Sequence, residues 1–335
     1  MLDVRKMRLL RELARLGTIA AVAQAEFCTP SAVSQQLSAL EREAGVQLLR
    51  RSGRGVELTA AGADLADRTE PVLALLEEAA SALAASRTEL AGEFRIGAFQ
   101  TAVRTLLPAA LVALGAEHPR LELRVTELDP AQAPDALRAG VLDIALVHEY
   151  DFVPAEPDPA LRAKPLLEET IFLASAAGER GELPVPTGEP ALTSGEVATL
   201  RPLLVAREQP WIVASPGTLC HLMAVRLCQG AGFAPRIRHY ADDFAAVLTL
   251  VAAGQGVALV PELALADRPD GVMLTPVPAR RRTLIAFRAA ASAHPAVTAC
   301  ATAIQSAAAS YRAGCLARGP SSARSAAVHA VVVSR

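Results

Sequence analysis

The segment between Thr29 and Gly45 constrains the fold most strongly, because its apolar residues form one narrow helical stripe. Thr29 followed by Pro30 is typical of a helix start, with a capping side chain before a proline at the first helical position. The apolar positions recur at intervals of four and three: Val33, Leu37 and Leu40. The opposite face carries polar side chains: Ser31, Ser34, Gln35 and Ser38. We therefore expect a helix with one buried side and one side free for contacts.

Two short helices are predicted before this segment and a hairpin after it. Four leucines at helical spacing (Leu9, Leu10, Leu13 and Leu16) precede Gly17, a helix-stop residue. Thr18 is then a good cap for a helix over Ile19–Ala25. The run Leu48–Thr59 predicts a strand, a basic turn and a second strand. Three helices followed by a hairpin indicate a winged helix-turn-helix.

The chemistry of this head suits DNA. Hydroxyls on the polar helix face can reach phosphates, and Gln35 can pair with adenine N6 and N7 in the major groove. The hairpin would carry its arginines to the DNA backbone or minor groove. The candidate DNA-binding residues are Thr29, Pro30, Ser31, Ser34, Gln35, Ser38, Arg50, Arg51 and Arg54. The alternative for the polar helix face alone is an ordinary solvated surface.

Charge supports a polyanion partner at one end only. The chain has 335 residues and a net charge of −2, which argues against a uniformly basic nucleic-acid coat. Residues 1–62 hold nine basic and six acidic side chains, so the remainder is acidic. The five cysteines include no CxxC pair, and the first residues lack an apolar signal core. We expect a cytoplasmic protein without a metal, a disulfide framework, a cofactor or a membrane span.

Three runs of the head resemble the LysR-type transcriptional regulators: GTIAAVAQA from Gly17, PSAVSQQLSALEREAGVQLLRR from Pro30, and LTAAG ending at Gly62. The match is in register through the whole head. It departs at Leu49, where that family usually has Phe, and at Pro30, where a polar residue is common. The second departure bears on one base contact.

A long linker helix is predicted next. Apolar and small residues alternate four and three apart over Leu65, Thr69, Val72, Leu76, Ala79, Leu83, Ser86 and Leu90. This period of 3.5 predicts a two-stranded coiled coil, with a kink or break at Pro71. The alternative is a helix packed on its own domain. A dimer would hold two heads at fixed half-site spacing.

From Gly92 onward strands and helices alternate, which predicts parallel sheets with helices on both faces. Strands are expected at Phe94–Ala98, Leu121–Thr126, Leu142–Val147, Ile171–Ala174, Trp211–Ala214, Arg236–Tyr240 and Val257–Pro261. Helices are expected at Thr101–Glu117, Pro130–Ala139, Thr218–Ala231 and Asp242–Ala253. Glu179–Glu196 is expected to be a loop, and the chain is expected to fray beyond Ala313.

Residues 92–300 resemble the effector-binding half of the same family, which is similar to periplasmic binding proteins. The phrases that carry this likeness are FRIGAF, LRAGVLDIAL, PWIVASPG and VAAGQGVALVP. The resemblance implies two lobes, joined by crossover strands, that close on a small molecule. It places the effector-binding candidates at the strand ends: Phe99, Gln100, Thr101, Asp129, His148, Ser215 and Thr218, with Glu127 nearby. The helix start after Phe99 favours a carboxylate-bearing ligand. Each alternative is a loop or cap residue, and Trp211 is expected to be packing.

The expected fold class is multidomain, α followed by α/β: a winged helix-turn-helix at 1–59, a coiled-coil linker at 60–91, a two-lobed periplasmic-binding-protein-like domain at 92–313 and a tail at 314–335. The expected function is promoter binding modulated by a small-molecule effector. The expected partners are double-stranded promoter DNA, an effector, a second copy in a homodimer or homotetramer, and RNA polymerase.

Three other functions fit the sequence less well than this hypothesis. An enzyme is disfavoured because the six histidines are isolated and no phosphate loop, nucleophile elbow or metal spacing is present. A thiol redox sensor would use Cys220 and Cys228, but eight residues of helix span about 12 Å, too far for a disulfide without unwinding. A nonspecific architectural DNA binder would have little use for an acidic two-lobed body.

Overall fold

The computed structural model describes residues 1–26, 28–52, 55–86, 89–153, 158–177 and 194–317. The chain order is a helical head with a hairpin, a long helix, and an α/β body of two lobes. The fold class expected from the sequence is therefore confirmed.

The head is built around the apolar stripe of its third helix. Its elements are α1 (Val4–Leu16), α2 (Ile19–Ala25), α3 (Pro30–Ala44), β1 (Leu49–Ser52) and β2 (Gly55–Leu58). Thr18 and Thr29 cap α2 and α3 with their side-chain oxygens, as expected, and Gly17 ends α1 with φ 75°. Such a left-handed end is the conformation that glycine adopts at least cost. Val33, Leu37 and Leu40 are fully buried against α1 and α2.

The hairpin is fixed to the next helix, α4 (Ala60–Ala85), by a close approach of two backbones. The Thr59 hydroxyl donates to the carbonyl of Gln47 at 2.8 Å, and its amide donates to the carbonyl of Leu48 at 2.9 Å. A Cβ added at Gly62 would lie 2.1 Å from that Leu48 carbonyl oxygen. The final glycine of the LTAAG run is therefore needed for sterics at the start of the linker helix.

Helix α4 runs through Pro71 without interruption, so the predicted break is wrong. The positions predicted to form the coiled coil also lie in two different environments. Thr69 is fully buried, whereas Val72, Leu76 and Leu83 are 37%, 50% and 69% exposed. The helix ends at Ala85, and Leu90 packs against the body. The unpartnered stripe is thus shorter than the sequence period suggested.

The body contains one six-stranded sheet in the order β4-β3-β5-β10-β6-β9 and a two-stranded pair, β7-β8. Its strands are β3 (Gly92–Ala98), β4 (Leu121–Glu127), β5 (Ile144–Tyr150), β6 (Leu161–Ala176), β7 (Pro210–Val213), β8 (Arg236–Tyr240), β9 (Ala258–Pro261) and β10 (Val272–Arg288). Strands β3, β4 and β5 are parallel, but β10 is antiparallel to both β5 and β6. The expectation of purely parallel sheets is therefore wrong, and the large sheet is mixed.

Two lobes share this sheet. Its helices are α5 (Gln100–Thr105), α6 (Leu107–Glu117), α7 (Ala133–Arg138), α8 (Ser194–Val205), α9 (Leu219–Gly230), α10 (Phe244–Ala252) and α11 (Pro295–Ala317). We call β3–β5 with α5–α7 and α11 lobe I, and β7–β9 with α8–α10 lobe II. The long strands β6 and β10 pair with each other and continue from one lobe into the other. They are the crossover strands that the resemblance implied.

Several elements differ from the sequence expectation. The expected helix over residues 101–117 is two helices, α5 and α6, and the expected helix over 130–139 is a 3₁₀ turn at Pro130–Gln132 followed by α7. Strand β10 was not predicted. Helix α11 continues to Ala317, so the predicted fraying just beyond Ala313 is wrong for those four residues.

The predicted loop over 179–196 is tested only at its end. Helix α8 begins at Ser194, so the last three residues of that range are helical and the loop prediction is wrong for them. The rest of the predicted loop and the tail from 318 lie outside the described residues.

Within the described ranges, no helix is long and apolar enough to cross a bilayer. The same part of the chain contains no group of three or more His, Cys, Asp or Glu side chains arranged to hold a metal ion.

Gly62→Ala should destabilise the head, because the added methyl group meets a backbone oxygen that cannot rotate away. We expect a loss of about 1–3 kcal/mol in the free energy of unfolding, measured by urea denaturation. Gly115→Ala is the matched control, since nothing lies within 4 Å of a Cβ at that exposed position in α6. It should stabilise the chain by about 0.5–1 kcal/mol. Equal effects of the two substitutions would contradict the steric role of Gly62.

Candidate DNA-reading helix and effector cleft

Helix α3 presents its polar side to solvent. Ser31, Ser34, Gln35 and Ser38 are all exposed, as are Thr29 and Pro30 at its start. None of these side chains packs into the head, because the buried stripe occupies the other side of the helix. The arrangement is a free helix face with short hydrogen-bonding groups, the geometry that entry into a major groove requires.

The hairpin carries basic side chains on exposed positions. Arg50 forms a salt bridge of 2.8 Å with Glu57, its neighbour across the hairpin. Arg51 is exposed and forms no salt bridge with any residue that the structure describes. Arg54 lies outside the described residues. A phosphate would therefore compete with Glu57 for Arg50, whereas it could bind Arg51 without first breaking a salt bridge.

Several predicted effector residues meet at one buried cluster where β3 and β5 end. Phe99 and Thr101 open α5 and are 6% and 5% exposed. His148, on β5, is also 5% exposed and contacts the ring of Phe99 edge-on, with centroids 4.9 Å apart. Burial, reinforced by the nearby Arg281 charge, holds the pKa of His148 well below its ordinary value. The imidazole is therefore neutral at physiological pH.

The centre of this cluster is an ion pair that the sequence analysis missed. Arg281 of β10 and Glu169 of β6 are paired at 2.7 Å, and both side chains are at most 2% exposed. Arg281 also donates to the Thr101 hydroxyl at 3.2 Å and lies over the Phe99 ring, 4.9 Å from its centroid. Burial disfavours the guanidinium charge, but the interactions with Glu169, Tyr150 and Cys220 together outweigh it, and the pKa of Arg281 is raised. The run of arginines in an otherwise apolar segment was the available signal.

Three buried polar atoms beside this pair have no hydrogen-bond partner among the described residues: Gln100 Oε1, His148 Nδ1 and Thr283 Oγ1. Thr283 and His148 are directly opposite each other on β10 and β5. A buried polar group without a partner costs about 1–3 kcal/mol. These atoms are therefore poised to receive hydrogen bonds from, or donate them to, a small molecule or water.

The remaining predicted effector residues have structural partners. The Ser215 amide and hydroxyl both donate to Asp242, each at 2.7 Å. Thr218 caps α9, and Asp129 caps the 3₁₀ turn that leads into α7. Burial, with some repulsion from Asp242 in lobe II, raises the pKa of Asp129. Asp129 and the Ser215–Asp242 pair therefore stand near the mouth between the lobes, while Trp211 is fully buried packing, as expected.

Cys220 joins the cluster from lobe II. Its sulfur is 3.3 Å from the hydroxyl of Tyr150, and the two form a hydrogen bond. Both Cys220 and Cys228 are free thiols on the uninterrupted helix α9. Cys228 is fully buried, and burial raises the pKa of its thiol to about 12. Burial also raises the pKa of Cys220. Neither thiol has the depressed pKa that marks a reactive cysteine.

Comparison with known proteins assigns both halves of the chain. Residues 4–63 match the bacterial regulatory helix-turn-helix protein model of the lysR family, and residues 87–309 match the LysR substrate binding domain. The chain is 31% identical over 236 residues to the "Probable hydrogen peroxide-inducible genes activator" of Mycobacterium avium, covering 70% of each. It is also 31% identical over 268 residues to the HTH-type transcriptional regulator TfdS of Cupriavidus pinatubonensis, covering 80% of this chain and 85% of the relative.

The fold has solved counterparts. A mutant of OxyR from Corynebacterium glutamicum aligns over 95% of both chains with a TM-score of 0.54 and 24% identity. A full-length OxyR variant from Pseudomonas aeruginosa covers 91% of this chain and 98% of its own with a TM-score of 0.57 and 20% identity. At these identities the likeness establishes the arrangement of the fold.

A winged helix-turn-helix followed by a two-lobed binding domain defines a DNA-binding transcriptional regulator controlled by a small-molecule effector. The chain belongs to the LysR family of such regulators.

The burial of His148 makes stability depend on pH in a defined direction. Its folded pKa is depressed below the ordinary value of 6.5, so the unfolded state takes up the extra proton. This contribution is fully present above that value and is lost as pH falls. We expect the free energy of unfolding to fall between pH 7.5 and pH 5, because only the unfolded state takes up the proton there. The measurement is urea denaturation at pH 7.5 and 5, and His148→Gln should remove this part of the pH dependence. His118→Gln, at a residue outside the cluster, should retain it.

Proposed function

We propose that α3 reads base edges in the major groove through Ser34 and Gln35, while Ser31 and Ser38 and the residues of its N-terminus, Thr29 and Pro30, approach the sugar–phosphate backbone. The single observation that supports this is the division of α3, with its apolar stripe filling the head and its polar side free. Arg50, Arg51 and Arg54 of the hairpin would contact flanking backbone. Phosphate contacts position the protein, whereas Gln35 supplies sequence discrimination.

We further propose that the effector binds over the cluster around Arg281. The ligand would satisfy Gln100, His148 and Thr283 and lie against Phe99 and Thr101. A carboxylate fits the start of α5, where the helix dipole favours an anion. Asp129, Ser215 and Thr218 would line the mouth. Closure of the lobes on the ligand would then change how the body presents the heads to DNA.

The assembly is proposed to be a homodimer, or a homotetramer built from dimers. The exposed residues Val72, Leu76 and Leu83 of α4 favour this, because an apolar helical stripe is covered by a second helix in a coiled coil. Two heads held at fixed spacing match two half-sites on promoter DNA. We also propose a cytoplasmic location, contact with RNA polymerase at the promoter, domain boundaries near residues 59, 91 and 313, and no enzymatic activity.

The input is proposed to be a ligand and not a thiol pair. One relative is named a hydrogen peroxide-inducible activator, which favours the redox alternative. In this chain, however, Cys228 is buried in the core of lobe II, and α9 holds Cys220 and Cys228 about 12 Å apart along its axis. A disulfide would require that helix to unwind. Effector binding requires only that a ligand supply hydrogen-bond partners for the unpartnered polar atoms of the cluster.

Gln35→Ala should relax sequence preference at one base pair, at a cost of about 1–3 kcal/mol for the preferred base. Arg51→Gln should instead weaken binding to all duplexes alike. The salt dependence of the binding constant should become less steep, by about one released counterion. The measurement is selection of duplexes from a random library, followed by titration at several salt concentrations. Gln36→Ala is the control, being exposed on the same helix about 100° away. Identical profiles for Gln35→Ala and Arg51→Gln would refute the docking arrangement.

Thr283→Val should leave the ligand-free protein at least as stable as the parent, because it removes a buried hydroxyl that has no partner among the described residues. The same change should weaken effector binding about fivefold or more, the value of one lost hydrogen bond. A thermal-shift screen of small carboxylic acids would first find a ligand for the parent protein. Thr249→Val removes a hydroxyl on α10 that is bonded within its own helix and serves as the control. Unchanged ligand affinity in Thr283→Val would place the effector elsewhere.

A further inference from the structure

The head touches lobe I through charged side chains of α1. Arg15 of α1 forms a salt bridge with Asp135 of α7, with Nη1 and Oδ1 2.8 Å apart. Arg11, one turn earlier, donates to the backbone carbonyl of Arg138 at the end of α7, at 3.4 Å. A basic side chain at a helix C-terminus is a favourable pairing, because the last carbonyls of α7 carry partial negative charge.

A buried carboxylate arranges both head arginines for this contact. Glu12, which is fully buried, accepts from Arg15 at 2.8 Å and from Arg11 at 2.5 Å. Arg11 is also paired with Glu70 of α4 at 2.7 Å. The two guanidinium groups are thereby held in place before lobe I is met, so the contact with α7 loses little side-chain entropy.

The contact is ionic and loosely packed. A cavity of about 940 Å³ lies beside it, between α1, α4 and lobe I. The side chains of Arg15 and Asp135 are 32% and 36% exposed. Part-exposed ion pairs are weak and are screened by salt. Such a contact can be made and released easily, unlike the apolar packing inside the head.

Helix α7 also connects this contact to the effector cleft. Asp129 accepts from the amide of Ala131 at 2.8 Å and so starts the 3₁₀ turn that passes directly into α7. The other end of α7 is held by Arg288, which donates to the carbonyl of Leu137 at 2.7 Å and pairs with Glu77 of the linker helix at 2.7 Å. One short segment is therefore connected to the cleft through Asp129, to the linker through Arg288 and to the head through Arg11 and Arg15.

We propose that α7 is a docking element for the head. Two contacts set the orientation of the head relative to lobe I: the salt bridge between Arg15 and Asp135, and the hydrogen bond from Arg11 to the Arg138 carbonyl. Control of this docking by the effector rests on the proposed effector cleft. Movement of Asp129 when the lobes close shifts α7, and this shift weakens or strengthens the contact with the head. The polar side of α3 stays exposed in the docked state. Docking therefore fixes where the head points and does not cover its DNA-reading face.

The docking is tested without any effector, by hydrogen exchange of the full-length protein at low salt. Arg15→Gln should raise amide exchange in residues 130–138 of lobe I about two- to fivefold, the range that a weak ion pair supports. Lys6→Gln is the matched control, because Lys6 lies on the same helix and pairs with Glu43 of α3 inside the head. It should leave exchange in 130–138 unchanged, and Arg15→Lys should restore most of the protection. Unchanged exchange in Arg15→Gln would overturn the proposal.

A second measurement separates this inference from the proposed DNA contacts. Asp135→Asn should broaden the half-site spacing accepted in a random-duplex selection while preserving the preferred bases. Asp158→Asn is its control, since Asp158 pairs with the same Arg138 without touching the head. Retained spacing in Asp135→Asn would overturn the docking role. If the parent protein showed no base preference in this selection, the proposal that α3 reads base edges would be refuted instead.

Discussion

The buried pair between Arg281 and Glu169 is the constraint on which the body depends. Its two residues are opposite each other on β10 and β6, the strands that pass through both lobes. Burying two charges is expensive, and the cost is offset only when the remaining hydrogen bonds are made. Here Thr101 of lobe I accepts from Arg281, and the amide of Leu263 donates to Glu169 at 2.8 Å. The pair therefore fixes the crossover strands to both the start of α5 and the segment that follows β9.

Elements with local signals could be predicted well from the sequence. The bounds of α2 and β8 agree with the expectation, because caps and short alternating runs depend on nearby residues. Strand β10 could not be predicted in this way. It contains Pro276 and a run of arginines, and its position depends on pairing with β5 and β6, which are about a hundred residues or more away. Its antiparallel direction follows from that long-range pairing.

The candidate site was half predictable for the same reason. Residues at or near the ends of parallel strands, such as Thr101 after β3 and His148 in the last part of β5, could be placed because those ends meet. Arg281 and Thr283 lie inside a crossover strand, where a run of arginines is the one local signal and no turn or strand end marks the site. The linker shows the converse limit. Thr69 shares the period of Leu76, yet Thr69 is fully buried and Leu76 is half exposed, because a heptad spacing identifies one side of a helix without identifying what covers it.

The two kinds of packing explain how one chain can both hold a shape and change it. Inside the head, Leu10, Leu37 and Leu40 are fully buried in one apolar core, and a close-packed core resists deformation. Between the head and lobe I the contacts are ionic and stand next to open space, so small displacements of α7 cost little. A signal from the cleft can therefore reorient the head as a rigid unit. The recognition geometry of α3 is preserved while its position on the promoter changes.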